Sequence, residues 1–382
     1  MRSTGTYATF TTLGEPVQAF VPHPLPPIAP AMDPDCFTER NRAAELALAR
    51  LSGVSGLVPS VEWLLYSAIR KEALLTSQIE GTQATLTDLF DEEAGFAVSN
   101  TDDVEEVANY YLRAFRLVQD NLRNPAGLPI SVRLLCDAHS LLLDGARRTG
   151  KQPGELRRSE NWIGDTRPGN AVFVPLPADK VPGLLADLER FIHADNAELP
   201  GLVRISLVHV QFETIHPFLD GNGRIGRLLI AALMEHWGLQ AEPLMYVSGY
   251  LKTHQSEYYR RLSALRTEGD WEGWVAFFLE GVPAAASESE RGIVSIASLI
   301  AADRRRILEA PRPTPASYRL FEMLPMMPRF TIEKVRQRLE TSFPTATAAV
   351  KILESLGIVT ELTGQKKSRN CSYQPYIDLL TR

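Results

Sequence analysis

Within one twelve-residue stretch, His216-Pro217-Phe218-Leu219-Asp220-Gly221-Asn222-Gly223-Arg224-Ile225-Gly226-Arg227, the chain places an imidazole, a carboxylate, an amide, three glycines and two guanidinium groups. An imidazole titrating near neutral pH can take a proton from a hydroxyl. A lone carboxylate beside phosphate oxygens can hold Mg²⁺. Arginine neutralises phosphate through a rigid fork of donors. His216 is therefore a candidate base and Asp220 a candidate metal ligand, with Gly221, Asn222, Gly223, Arg224, Ile225, Gly226 and Arg227 a phosphate cradle. Attack by a hydroxyl on an α-phosphate, with pyrophosphate leaving, is the chemistry such a set supports.

Two helices must position this loop. Leu202, Ile205, Val208, Phe212 and Ile215 recur at helical spacing before it, and Leu228, Leu229, Ala232, Leu233 and Trp237 after it. Pro217 cannot continue the first helix, and Gly221 and Gly223 let the backbone turn its N–H groups toward the start of the second. Unpaired N–H groups and the helix dipole then favour an anion. Asp-Gly and Asn-Gly also signal hairpin turns, but the flanks have a helical period. His209, Glu213 and His216 could share one helical face as a zinc site, although no His-Glu-x-x-His pattern is present.

The stretch resembles the signature of the Fic (Fic/Doc) family, His-Pro-Phe-x-[Asp/Glu]-Gly-Asn-Gly-Arg-x-x-Arg, at every fixed position. A second segment, Thr76-Ser77-Gln78-Ile79-Glu80-Gly81, resembles the family's inhibitory motif [Ser/Thr]-x-x-x-Glu-[Gly/Asn] through Thr76, Glu80 and Gly81. The resemblance implies a mostly α fold, with a Fic-type helical core, a short β-hairpin flap and, in this chain, a C-terminal winged-helix-like domain. It also implies transfer of AMP from ATP to a Ser, Thr or Tyr hydroxyl of a target protein, the chain itself included. Glu80 would pair with Arg227 and restrain the reaction, as in the class with an N-terminal inhibitory helix. Removal of AMP by the same site, with Glu80 positioning a water, stays open. Asn161-Trp162-Ile163-Gly164 and Ala171-Val172-Phe173-Val174-Pro175 read as a hairpin around Pro168-Gly169-Asn170. In the family that hairpin is the flap, which pins the target by strand addition. Glu80, Tyr258 and Tyr259 complete the nucleotide contacts that the resemblance implies.

Elsewhere the pattern is helical: about 37 to 51, 61 to 80, 103 to 123, 131 to 146 and 178 to 194. Residues 1 to 35, with Pro22, Pro24, Pro26, Pro27, Pro30 and Pro34, predict an extended arm. His139 reads as a packed histidine with no partner nearby, and Trp271 and Trp274 as core. Pro311-Arg312-Pro313-Thr314-Pro315 marks a break, dividing the chain into 1–100 with the inhibitory helix, 101–310 with the core, and 311–382. The last segment carries eleven Lys and Arg against six Asp and Glu, +5 where the remainder carries −11. Helices at about 316 to 324, 331 to 340 and 345 to 356 precede a basic loop, Gln365-Lys366-Lys367-Ser368-Arg369, which leaves DNA and protein docking both open. A net charge of −6 excludes a nucleic-acid surface over the whole protein. Cys36, Cys136 and Cys371 form no metal or redox pattern, and no signal peptide or membrane span is expected, so the expected setting is cytoplasmic. Members of the family often pair, and a homodimer is left open.

Overall fold

The chain opens as β structure, not as the extended arm that its prolines suggest. A computed structural model describes residues 3–27, 31–108, 113–144, 150–194, 198–240, 242–364 and 369–381. Strands β1 (Gly5–Thr12) and β2 (Glu15–Pro22) pair antiparallel, with Thr12 opposite Glu15. They are joined by Leu13 and Gly14, both at positive φ, as a two-residue hairpin demands. Apart from Pro16 near the start of β2, the prolines begin at Pro22, where β2 ends. The alternating Thr, Tyr and Phe residues ahead of them are what form strands.

Helices make up most of the rest. In order they are α1 (Thr38–Val54), α2 (Val61–Ile79), α3 (Leu86–Ala94), α4 (Thr101–Ala108), α5 (Arg116–Arg123) and α6 (Val132–Leu142). Then come α7 (Val181–His193), α8 (Gly201–Ile215), α9 (Asn222–His236), α10 (Ser248–Thr253), α11 (Gln255–Glu268) and α12 (Trp271–Leu308). The helix expected over 103 to 123 is represented by α4 and α5, with 109–112 outside the described residues. The one expected over 131 to 146 ends at Leu142, and residues 145 and 146 lie outside the described residues.

Helix α8 is buried on all its faces from Leu202 to Ile215 apart from the half-buried Arg204, so that Ser206, His209, Gln211, Glu213 and Thr214 are buried along with its apolar residues. It packs against α7, α9, α12 and β2. Trp274, fully buried, donates its indole N–H to the Ser206 carbonyl at 2.8 Å and fastens α12 to α8. Trp271 is core as well.

Past Pro311–Pro315 come α13 (Pro315–Met323), β3 (Arg329–Thr331), α14 (Ile332–Leu339), α15 (Phe343–Ser355), β4 (Thr360–Glu361), β5 (Asn370–Ser372) and α16 (Gln374–Leu380). The three strands form an antiparallel sheet in the order β3-β5-β4. Residues 365–368, with Lys366 and Lys367 of the basic loop, lie outside the described residues. The apolar core runs across the proline break without interruption. Tyr373 donates to Asp303 of α12 at 2.7 Å, Arg329 pairs with Asp91 of α3 at 3.2 Å, and Lys334 donates to the Glu93 carbonyl. No described helix is long and apolar enough to cross a membrane.

Candidate active site

His216 stands at the C-terminal end of α8 with φ 49° and ψ 61°, a left-handed conformation in which a side chain is strained. Pro217 stops the helix there, and the turn swings the imidazole out of the helical path into a cavity of about 580 Å³. What holds the turn is Arg157, a residue from the segment before the flap. Its buried guanidinium donates to the carbonyls of His216 (2.8 Å), Leu176 (2.6 Å) and, at 3.4 Å, Ile215, while its backbone N–H donates to the Pro217 carbonyl at 2.9 Å. The Ile215 and His216 carbonyls are orphan acceptors of the kind any helix leaves at its C-terminus, and a cation is the group the dipole favours there. Burial lowers the Arg157 pKa to about 10, offset in part by Glu160.

The rest of the loop is braced in the same way. His139, fully buried and stacked on Phe218 at 3.8 Å, donates from Nε2 to the Asp220 carbonyl at 3.0 Å and accepts at Nδ1 from the Gly154 N–H at 2.9 Å. One donating and one accepting nitrogen define a neutral ring, and burial pushes its pKa down to about 4. The expectation that His139 lacks a partner is corrected: its partners come from the loop and from Gly154, neither of which is near it in sequence. Asn222 turns inward, accepting from the Phe218 N–H and donating to the Phe218 carbonyl, both at 2.8 Å. Its amide therefore closes the loop, and the residue also lines the cavity.

Gly221, at φ 75°, caps α9, whose first turn faces the cavity. Asp220 lines the cavity, with a 39% exposed side chain whose Oδ1 accepts from the Gly221 N–H at 2.6 Å. The two signature arginines part company. Arg224 pairs with Glu106 of α4 and, at 3.4 Å, with Asp220, and it does not line the cavity. Arg227 does line it, and α2 holds its buried guanidinium. It donates to Thr76 Oγ1 (2.6 Å), the Thr76 carbonyl (3.0 Å) and Glu80 Oε1 (2.6 Å). Ile225 is core, and the Gly226 carbonyl accepts from His209 Nδ1 at 3.2 Å, so neither lines the cavity. The helical rotation of α9 turns these two positions away, although they are adjacent in sequence to ones that face it.

Glu80 closes the end of α2, and Gly81 follows at φ 100°, a backbone geometry suited to glycine. A carboxylate at a helix C-terminus is opposed by the dipole, and Arg227 supplies the compensating charge. Gly223 makes this approach feasible: a Cβ there would lie 2.3 Å from Glu80 Oε1 and 3.0 Å from Arg227 Nη1.

Burial pushes the His216 pKa down to about 4, with the Arg157 cation acting in the same direction, so the ring is neutral at pH 7 and able to accept a proton. Its Nδ1 is buried and meets no hydrogen-bond partner among the described residues. Glu213, one turn earlier, also lines the cavity, and burial raises its pKa to about 7. His209 is committed elsewhere, its Nε2 accepting from Tyr258 Oη at 3.0 Å.

The flap forms the opposite wall. Of the hairpin expected over 161 to 175 there is a single bridge, Ile163 with Phe173, closed by Ile163 N–H to Phe173 O and Val172 N–H to Ile163 O, both 2.8 Å. Asn161, Trp162, Ile163 and Gly164 all line the cavity. The N-terminal hairpin supports this wall from outside: the Phe20 N–H donates to Val174 O at 3.0 Å, and Glu15 accepts from Arg167 Nε and the Gly169 N–H, both at 2.9 Å. Along the side run Tyr258, buried, and Tyr259, 47% exposed. Arg266, unnoticed in the sequence, also lines the cavity and lies over the Phe173 ring at 3.8 Å.

A neutral imidazole on a strained turn, a helix N-terminus and a two-armed grip on one arginine thus meet in one cavity of a mostly helical fold. The Fic/DOC family N-terminal model matches residues 38–119 and the Fic/DOC family model residues 129–234. The chain is a member of the Fic/DOC family. A probable protein adenylyltransferase of Aquifex aeolicus is 40% identical over 70 residues, 18% of this chain and 21% of that protein. The protein adenylyltransferase Fic of Drosophila grimshawi is 33% identical over 131 residues, 33% of this chain and 24% of that one. The matches thus span about a quarter or less of these curated relatives. Among solved structures, a Fic family protein from Desulfovibrio desulfuricans G20 superposes with a TM-score of 0.58 at 21% identity, covering 90% of this chain and 97% of that one. A Fic domain containing signaling protein from Bacteroides thetaiotaomicron gives 0.55 at 17% identity, covering 67% and 97%. At such identities these two likenesses concern the fold.

Proposed function

We propose that the protein transfers AMP from ATP to a Ser, Thr or Tyr hydroxyl of a target protein, itself included, and that Glu80 restrains the reaction by holding Arg227. One observation carries the reading: His216, Asp220, the α9 N-terminus and Arg227 share one cavity with Glu80. Neutral His216 accepts the proton of the acceptor hydroxyl, whose oxygen bonds to the α-phosphorus as the bond to the leaving pyrophosphate breaks. The N–H groups at the start of α9 and the dipole behind them stabilise charge growing on the phosphate oxygens. The flap holds the target segment by main-chain pairing. The donor set at Asp220 fits Mg²⁺, since the ion commonly takes one or two carboxylates and completes its shell with phosphate oxygens and water. When bound, Mg²⁺ would neutralise charge on the leaving group.

With Glu80 on Arg227, the guanidinium is unavailable to the terminal phosphate and resting activity is low. Glu80→Gly is expected to raise auto-modification about tenfold or more, the effect of some 1.4 kcal/mol in the barrier, read as label transferred from ATP in the presence of Mg²⁺. No rise would overturn the restraint, and no label in either form would overturn the transfer. A second reading rests on Glu80 and His216 lining the same cavity. A carboxylate there can also orient a water against an AMP-modified residue. Free AMP released by the wild type from a modified target would establish that direction.

A further inference from the structure

Arg70, Arg157, Arg224, Arg227 and Arg329 are buried, and each meets a carboxylate or a set of carbonyls of this chain. Arg266 of α11 does not. Its half-buried guanidinium lays one face on the Phe173 ring at 3.8 Å and makes no hydrogen bond or ion pair among the described residues. None of its nitrogens is sealed from solvent, so the N–H edges open on the space beside them. Burial draws the Arg266 pKa down to about 10, opposed by Tyr7, Glu213 and Tyr258, and the group stays charged at neutral pH. A partly desolvated cation without a counter-charge is costly. Arg266 also stands where two cavities meet. The second, of about 320 Å³, lies between the N-terminal hairpin, the flap segment and α11, and shares Val172, Phe173, Ser263 and Arg266 with the His216 cavity. Along α11 the residue is two turns beyond Tyr258, about 12 Å by the helical rise. Its charge is nevertheless felt at His216, where it adds to burial and Arg157 in holding the imidazole pKa down. The cation therefore neighbours the base and the flap at once.

We propose that Arg266 reads a carboxylate of the target polypeptide, an Asp or Glu two residues from the acceptor hydroxyl on the segment that the flap holds. A guanidinium only donates, and a carboxylate meets its planar fork with two parallel bonds while supplying the missing charge. Stacking on Phe173 occupies one face of the guanidinium and leaves its donor edges to the incoming group. Side chains of an extended segment alternate, so the nearest residue facing the same way as the acceptor stands two positions off, about 7 Å along the strand. With the acceptor at His216, that side chain meets Arg266 beneath Phe173, and the segment runs on over the second cavity along the N-terminal hairpin. Tyr7, Gln18 and Thr267 add polar groups to that part of the path. Naming the substrate class in this way rests on the AMP transfer proposed above; the preference in binding does not.

The test is a fluorescence-polarisation titration of the full wild-type chain with short labelled peptides in which a central tyrosine is the sole hydroxyl. The peptides carry Asp, Asn or Lys at both positions two residues from that tyrosine. The Asp peptide is expected to bind saturably and about fivefold more tightly than the Asn peptide, the yield of one partly desolvated charge pair, with the Lys peptide weakest. The gap should close in Arg266→Met and persist in Arg266→Lys, which keeps the charge, while ATP affinity changes less than about twofold in either. No saturable binding, equal affinity for the Asp and Asn peptides, or a preference that survives in Arg266→Met would overturn the proposal. A loss of about tenfold in ATP affinity would place Arg266 on the nucleotide and overturn it as well. In the Glu80→Gly background, label transfer should favour the Asp peptide through KM with kcat nearly equal, and equal KM for the Asp and Asn peptides would overturn the substrate class. If Glu80→Gly transfers no label from ATP to peptide or chain, the AMP-transfer reading fails alone, because the polarisation titration reads binding.

Discussion

The two walls of the His216 cavity are built on opposite terms. On one, the His216 loop is cross-braced by three buried side chains, Arg157, His139 and Asn222, which together occupy the carbonyls of residues 215, 216, 218 and 220. On the other, the flap is closed by one bridge, with Val172 77% exposed and Ile163 39% exposed, and its support comes from the N-terminal hairpin. The wall with the base admits little adjustment, since a displacement of about 1 Å can cost about 10² in rate. The flap wall, to which the proposed function assigns the target polypeptide, is suited to a partner that completes it by main-chain pairing. On the proposed function, chemistry is held stiffly and recognition loosely on two walls of one cavity.

Substitutions can break this contrast. The largest effect is expected for His216→Ala: transfer falls about 10³-fold with an unchanged melting temperature, measured in the Glu80→Gly background. Arg157→Met comes next, because it leaves several buried carbonyls without donors. A loss of about 3 kcal/mol in unfolding free energy should accompany a fall in kcat, both read by denaturant titration and label transfer. On the flap, Ile163→Ala is expected to raise KM for a target protein a few-fold with kcat nearly unchanged; a kcat loss equal to that of Arg157→Met would erase the distinction between the walls. The smallest effect concerns pH. The folded pKa of His216 lies near 4, below its ordinary 6.5, so the ring stays neutral and competent as pH falls through 6.5 and is protonated only near 4. The acid limb of kcat/KM should therefore fall near pH 4 to 5, and a limb at 6.5 would mean that His216 is more solvated than its burial indicates.

Much of the braced wall was legible in the sequence, and most of its bracing was not. The loop, the helices on either side of it and the approach of Glu80 to Arg227 follow from local spacing and from one motif pair. Arg157, His139 and Glu106 act across 59, 81 and 118 residues of chain. A helix end announces that its carbonyls need donors, but not which side chain will come. Ile225 and Gly226 lie in sequence between Gly223 and Arg227, which face the cavity, but the rotation of α9 turns them away from it. The N-terminal hairpin was hidden for a different reason: the prolines after Val21 dominate the composition of a segment whose first half alternates as strands do.

Helix α12 has a consequence for how this chain could be divided. It runs 38 residues, about 57 Å at 1.5 Å per residue, and packs on α1 and also on α16. Asp303 near its end is buried under Tyr373, beyond the proline break. A gene cut at residue 311 would strip apolar cover from both products, leaving α12 with a raw flank and α13 to α16 with no counterpart. The last seventy residues are therefore poorly suited to being exchanged between genes as a cassette, and they are expected to have been inherited together with α12.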